Sequence, residues 1–315
     1  MPPPPSNHHT LTLIGAGHLG RTLARLWHDR GTFRIGDVFA RSAASARSAV
    51  EFIGSGQPLT LSDRPGQIEL VLLAVPDDQL ADAAAWLAER AGIGPGSVAF
   101  HCSGAHPASV LEPLRAAGAA VASAHPMHSF ADPAHSVETF AGTFCALEGD
   151  DQAMQMLEPA FEAIGARPLQ IDGDAKLLYH AGGVCASNYV TVLIDAALRL
   201  LEAAGIDTPT GRQLIGPLVR GAVDSALSLG PGAALTGPVA RGDANLVARQ
   251  AHAVAVQEAG LGDLYGLLAR SAIRLAASEG RLDTEQVRDL ESALEQASQP
   301  SSMRTPTTQS VTAKP

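Results

Sequence analysis

The chain has 315 residues, a formal charge of −10 with neutral histidines, and 46% hydrophobic against 17% charged positions. That length is enough for two domains with a sizeable core. The acidic balance excludes a general binder of nucleic-acid backbones, which needs surplus Lys and Arg, and 4% aromatic residues give no stacking platform for single-stranded bases. Cys102, Cys145 and Cys185 are too scattered for a disulfide framework and read as reduced thiols of a cytoplasmic protein.

No signal peptide is expected, because residues 1–9 hold neither a basic region nor an apolar core. Residues 1–9 and 299–315 are poor in packing residues and are expected to be disordered. Leu177 to Ile194 carries no formal charge but includes Tyr179, His180, two glycines, Ser187, Asn188 and Thr191. It reads as a helix buried between protein elements, with no membrane partner.

Strand-length apolar runs with turn-forming flanks lie at Thr10–Ile14, Arg34–Ala40, Ile68–Val75, Ser97–His101, Ala119–Ala124, Thr143–Leu147 and Pro168–Ile171. Helical stretches alternate with them at Arg21–Arg30, Ala43–Ile53, Leu80–Glu89, Val110–Ala117 and Gln152–Ile164. This alternation predicts an α/β domain over residues 10–172, with a parallel sheet covered on both faces. Over residues 173–298 the strand signal is absent. Ala175–Ala204, Thr210–Leu229, Asn245–Ala259, Leu261–Ser278 and Thr284–Ala297 read as helices, with Gly205, Gly230 and Gly280 where helices would end.

Gly15-Ala16-Gly17-His18-Leu19-Gly20 sets a G-x-G-x-x-G between the first strand and the first helix. Gly15 would permit the tight turn, Gly17 the approach of a pyrophosphate, and Gly20 close packing of helix on strand. The helix N-terminus would hold the anion. At the end of the second strand, Asp37 comes too early to hold a ribose, and Arg41 and Ser42 stand at the tip. A guanidinium and a hydroxyl suit a 2′-phosphate, so NADP is expected over NAD. Val75 and Pro76 end a buried strand where it would pass under the nicotinamide ribose.

At about 100° per residue, Lys176, His180, Gly183 and Ser187 share one face of the first long helix, with Asn188 on its flank. Gly182 and Gly183 each cost roughly 1 kcal/mol against alanine in a helix, which points to a close neighbour, either a ligand or another helix. The functional reading puts a carbonyl substrate in that gap, with Lys176 or His180 as general acid. The structural alternative makes Lys176 a surface residue and His180 a core histidine.

Several motifs occur together: His101-Cys-Ser103-Gly104, His125-Pro126-Met-His-Ser-Phe130, Tyr179-His180 with Ser187-Asn188-Tyr189, and Thr236-Gly-Pro-Val-Ala-Arg241-Gly-Asp243. With the glycine turn in front, the chain resembles the Rossmann-like oxidoreductases that carry a C-terminal domain of unknown function 2520, over roughly residues 10–280. More distantly it is similar to ketopantoate reductases, pyrroline-5-carboxylate reductases and β-hydroxyacid dehydrogenases. The resemblance implies an N-terminal Rossmann-like domain and a helical domain that makes a homodimer. It also implies NADP-linked reduction of a small oxo acid or imine, a ketopantoate-like carboxylate among them. In those families a lysine on the long helix and an Asn one turn later carry the chemistry; here Lys176 matches the lysine and His180 replaces the Asn. Thr236, Arg241 and Asp243 would bind the substrate's polar groups, with Arg241 pairing to a carboxylate, while Ser103 and His125 would line the same crevice.

Two other chemistries are poorly served. His125-x-x-His128 and a nearby Cys are acceptable zinc ligands, but the histidines fall in different loops and no metal is expected. Cys102-Ser103-Gly104 is no nucleophile elbow. The rival of a different class is a non-catalytic protein that binds NADP(H) and responds to it.

Overall fold

The computed structural model describes residues 9–297; the expected disorder of residues 1–8 and 299–315 lies outside that range. Two compact units divide the chain, one running to Asn188 and the other starting at Tyr189.

The first unit is a sheet of eight strands, β1 Thr10–Ile14, β2 Arg34–Ala40, β3 Gln57–Thr60, β4 Leu70–Leu73, β5 Val98–His101, β6 Ala120–Pro126, β7 Phe144–Gly149 and β8 Arg167–Gln170, in the order β3-β2-β1-β4-β5-β6-β7-β8. Helices α1 His18–Arg30, α2 Ala43–Ile53, α3 Leu80–Arg90, α4 Glu112–Ala116, α5 Pro133–Thr139, α6 Asp151–Ala163 and α7 Lys176–Ala186 complete it. Each sheet face buries its own apolar cluster. Trp27, Phe100 and Phe161 meet edge to face on one, and the Trp27 indole donates a 2.9 Å hydrogen bond to the Ala160 carbonyl. Ile14, Val71, Leu73, Leu87 and Val121 fill the other. Strands buried on both faces need continuous apolar runs, and the Leu70–Leu73 run Leu-Val-Leu-Leu is buried at all four positions.

The sheet is not wholly parallel, as the alternation predicted. β7 pairs antiparallel with β6, from Ala122 opposite Gly149 to Pro126 opposite Cys145. The connection contains only the seven-residue α5 and returns at the edge where β6 ends, so β7 starts there and runs back. β3 also escaped the strand reading. It is four residues long and contains Pro58, which an edge strand tolerates because no ladder donor is needed on its outer side.

The second unit holds α8 Asn188–Ala203, α9 Thr208–Leu229, α10 Pro231–Ala234, α11 Ala244–Gln257, α12 Ala259–Ser278 and α13 Thr284–Ala297. Its core joins Val247, Ile273, Ala276, Leu290 and Leu294. Gly205, Gly230 and Gly280 follow helices with φ of 87°, 86° and 67°, values that L side chains rarely adopt.

The helix expected over 175–204 is two helices, broken at Ser187, whose φ and ψ of −120° and −69° leave the helical range. The strand signal does stop near residue 172, yet α7 clusters with the sheet unit. The stretch expected to be a buried helix is mostly exposed: α8 has no buried residue, and Leu177, Leu178 and Val192 are exposed. Gly173–Ala203 is long and apolar enough to cross a membrane by length and composition, with 6% of its most apolar window buried.

Candidate active site

The glycine turn does what its spacing demands. Gly15 has φ +99°, and a Cβ there would meet the Ala74 carbonyl oxygen at 2.4 Å. A Cβ on Gly20 would meet the Gly15 oxygen at 2.7 Å, whereas one on Gly17 would meet nothing within 4 Å. Gly15 and Gly20 thus pack the turn, and Gly17 faces open space. Gly17 caps α1 without a side-chain bond, and no acid stands in the first turn, so the positive helix end is left for an anion. Arg21 pins the loop by donating from Nε and Nη2 to the Ala16 carbonyl at 3.0 and 2.7 Å. His18 lies with Nδ1 3.0 Å from the Phe130 carbonyl, and Leu19 packs on the core.

A cleft of about 260 Å³ opens here, lined among others by Gly15, Ala16, Gly17, Arg41, Val75 and Pro76. It lies over β1 and β4, where the strand order reverses, the usual place for a nucleotide in an open α/β sheet. Arg41 is exposed at its rim. Ser42 is not available there as expected: its hydroxyl caps α2, accepting from the Ser45 amide at 3.2 Å, and Ser45 lines the cleft in its place. The residues present fit a dinucleotide.

A polar cluster forms at the ends of β5 and β6 beneath α7. Lys176 is fully buried and its Nζ donates to Ser123 Oγ at 2.7 Å; Ser123 in turn donates to the Ser103 carbonyl at 3.4 Å. Burial pushes the ammonium below the usual lysine range, against the attraction of Glu148. Glu148 is itself held above the usual carboxylate range by burial, although it accepts the Ala108 amide at 2.6 Å. Lys176 is thus enclosed within the first unit and does not stand at the surface, where its structural alternative had put it.

Ser103 is also committed elsewhere. Its hydroxyl donates to Asp77 Oδ2 at 2.9 Å and accepts from the Ala105 and His106 amides at 3.2 and 3.1 Å, so it shapes the loop and has no capacity left for a substrate. His101 supports the same loop: Nδ1 accepts from the Ser103 amide at 3.1 Å and Nε2 donates to the Pro107 carbonyl at 3.2 Å. Burial holds that imidazole neutral, with its pKa pushed down to about 4.

His125 and His180 are the groups that reach the surface of the cluster. Both are half-buried and pack edge to face, centroids 5.8 Å apart. Both press on Gly104, where a Cβ would come 2.4 Å from His180 Nδ1 and 2.9 Å from His125 Nε2. Burial, and then the nearby Lys176 charge, push the His125 pKa down to about 4. Tyr179 stands beside His125, its hydroxyl 3.3 Å from Nδ1.

The gap predicted at Gly183 is filled from within the chain, since a Cβ there would lie 2.9 Å from the Met127 sulfur. Ser187 ends α7 and Asn188 begins α8, both exposed. In the second unit, Thr236 and Arg241 are exposed on the loop before α11. Asp243 caps that helix, accepting the Leu246 amide at 3.0 Å, and so has a structural task. Among the described residues no carboxylate pairs with Arg241, and no group of three or more His, Cys, Asp or Glu could hold a metal ion.

Sequence reasoning places Gly104 beside Ser103 at the end of the fifth strand, where it would face the nicotinamide, and names Tyr179 only within its motif. It missed Asp77, whose only signal is its adjacency to Pro76.

A glycine turn over a strand-order reversal, followed by helices, defines a dinucleotide-binding type of α/β protein. Residues 6–126 match the model of a Rossmann-like domain, and residues 143–272 match that of a domain of unknown function, DUF2520. The chain belongs to the Rossmann-like proteins with a C-terminal DUF2520 domain. The DUF2520 match begins at β7, so that domain includes the last two strands as well as helices.

Protein TM1727 from Thermotoga maritima is similar in structure, with 27% identity and a TM-score of 0.67 over 85% of this chain and 99% of that one. BF3122 from Bacteroides fragilis, named as an NADP oxidoreductase, shares 22% identity with a TM-score of 0.71 over 85% of this chain and 98% of that one. A reductive aminase from Aspergillus terreus, in complex with NADPH and ethyl-5-oxohexanoate, shares 17% identity with a TM-score of 0.54 over 92% and 94%. No curated protein matches the chain.

Proposed function

We propose that this protein is an NADP-dependent reductase of a small oxo acid or imine. One observation carries the reading: the nucleotide cleft and the imidazole pair are ends of one connected structure. Pro76 lines the cleft, Asp77 follows it and holds Ser103, and Gly104 follows Ser103 and lies under both imidazoles. The proteins of similar fold named for NADP oxidoreduction and reductive amination are consistent with it.

A bound reduced nicotinamide would supply the hydride. Gly17 and the free end of α1 would hold the pyrophosphate, and Arg41 with Ser45 would take a 2′-phosphate. His180 is the residue we assign to give the substrate oxygen or nitrogen its proton, because it is a half-buried imidazole at the surface of the cluster on the same helix face as Lys176. Arg241 of the second unit, exposed and without a carboxylate partner among the described residues, suits a carboxylate-bearing ligand. Free thiols at all three cysteines fit a cytoplasmic setting. The exposed apolar residues of α8 and α9, Val192, Leu193, Leu214, Leu218 and Leu227, fit a second copy of the chain as partner.

The test is loss of NADPH absorbance across a panel of oxo acids and cyclic imines. Turnover with one member, abolished in His180→Ala while NADPH still binds, supports the reading. Tight NADPH binding with no turnover of any member favours the non-catalytic binding protein.

A further inference from the structure

His18 is the first residue of α1, directly after the glycine that faces open space, yet its side chain stays out of the nucleotide cleft. It is exposed and is not among the residues that line the cleft. The ring turns instead to the loop after β6, with Nδ1 3.0 Å from the Phe130 carbonyl oxygen. A carbonyl only accepts, so Nδ1 carries the proton and donates it.

The loop depends on that bond. Among the described residues, Ser129, Phe130 and Ala131 make no backbone–backbone hydrogen bond, and the His18 ring is the only side chain that hydrogen-bonds to them. The Phe130 ring packs against His128 at 5.0 Å and Phe140 at 6.4 Å between centroids. Those contacts hold the ring and leave the backbone to His18.

The other end of the loop reaches the helix that carries His180. Met127 extends the β6 ladder by one residue, its amide donating to the Phe144 carbonyl at 2.8 Å. Strand alternation puts it on the same side as His125. A Cβ on Gly183 would come 2.9 Å from the Met127 sulfur, so Met127 seats on α7 only because residue 183 has no side chain. Gly183 follows His180 by three positions, on the same helix face. The stretch 127–130 therefore touches the glycine turn's helix at one end and the His180 helix at the other.

We propose that His18 is a positioning residue. Its ring clasps Phe130 and, through the loop, sets Met127 against Gly183, which holds α7 and His180 in register with the glycine turn. The kinetic consequence rests on the reading of His180 as proton donor; the clasp itself does not.

The experiment joins NADPH-oxidation kinetics, calorimetric NADPH binding and hydrogen–deuterium exchange by mass spectrometry, all on the full-length protein. His18→Ala keeps the α1 backbone amide, so NADPH affinity should hold within about 2-fold while kcat falls about 10-fold, the size of one lost hydrogen bond. Peptides covering 127–132 should exchange faster. His18→Asn, which offers an amide N–H near the Nδ1 position, should restore both kcat and exchange. Met127→Ala breaks the far end of the same link, so the double variant should lose little more than either single one. An unchanged kcat in His18→Ala overturns the proposal, and a fall in NADPH affinity beside it would make His18 a cofactor ligand instead. Multiplied losses in the double variant, or loop exchange unmoved by His18→Ala, overturn it as well. If the wild-type protein turns over no oxo acid or imine, the reductase reading fails by itself, and exchange of 127–132 in His18→Ala against His18→Asn then decides the clasp.

Discussion

Lys176 Nζ donates a 2.7 Å hydrogen bond to Ser123 Oγ while none of the lysine is exposed. A buried ammonium is costly unless it is well paired, and among the described residues no carboxylate lies within ion-pair distance of it. Because burial lowers its pKa, the unfolded chain binds more protons than the folded one from the lowered folded pKa up to the unfolded lysine value. Wild-type stability should therefore rise with pH through that alkaline window. Lys176→Met should lose this rise, keep NADPH binding, and retain more turnover than His180→Ala. Chemical denaturation between neutral and alkaline pH, with kinetics on the same variant, checks it.

His101 and His125 set the acid side. Each has a folded pKa of about 4 against an ordinary value of 6.5, so protonation is easier in the unfolded chain. Their contribution is full above 6.5 and is lost as pH falls from 6.5 to 4, on the order of 3 kcal/mol for each. His101→Asn and His125→Gln should each flatten the acid limb of stability against pH, measured by urea midpoints.

Gly15 and Gly17 should separate folding from binding. Gly15→Ala forces both a positive φ and a 2.4 Å contact with backbone, and should destabilise the protein by more than about 2 kcal/mol. Gly17→Ala meets nothing within 4 Å, so its melting temperature should stay near wild type while NADPH affinity drops at least 10-fold by calorimetry.

Arg41 and Ser42 should part in the same way. Arg41→Ala should weaken NADPH binding about 10- to 100-fold and leave NADH binding nearly unchanged, since only the 2′-phosphate loses its partner. Ser42→Ala removes the α2 cap and should cost about 1 kcal/mol of stability with no change in cofactor preference.

Gly104→Ala should keep NADPH binding but abolish turnover. The added Cβ would stand 2.4 Å from His180 Nδ1 and 2.9 Å from His125 Nε2, so the imidazole pair must separate. Unchanged kinetics in a folded Gly104→Ala protein would show that the pair's placement is irrelevant to the reaction.

Local periodicity was enough to read seven of the eight strands and most of the helices, because a buried parallel strand and an amphipathic helix each impress a repeat on neighbouring residues. The packing of Gly15 and Gly20 and the open space at Gly17 were equally legible, since spacing within one turn fixes which glycine packs and which does not. Tertiary structure decided the rest. Lys176 and His180 stand one helical turn apart on one face, and nothing in that spacing tells that the first is fully buried against Ser123 while the second stays half-exposed. Ser42 and Asp243 have side chains suited to ligands, and only the start of a helix beside each turns them into caps. Asp77, Gly104, His125 and Tyr179 come from four separate segments. Their meeting depends on β4, β5 and β6 lying side by side under α7, and strand order is a long-range property that no local pattern encodes.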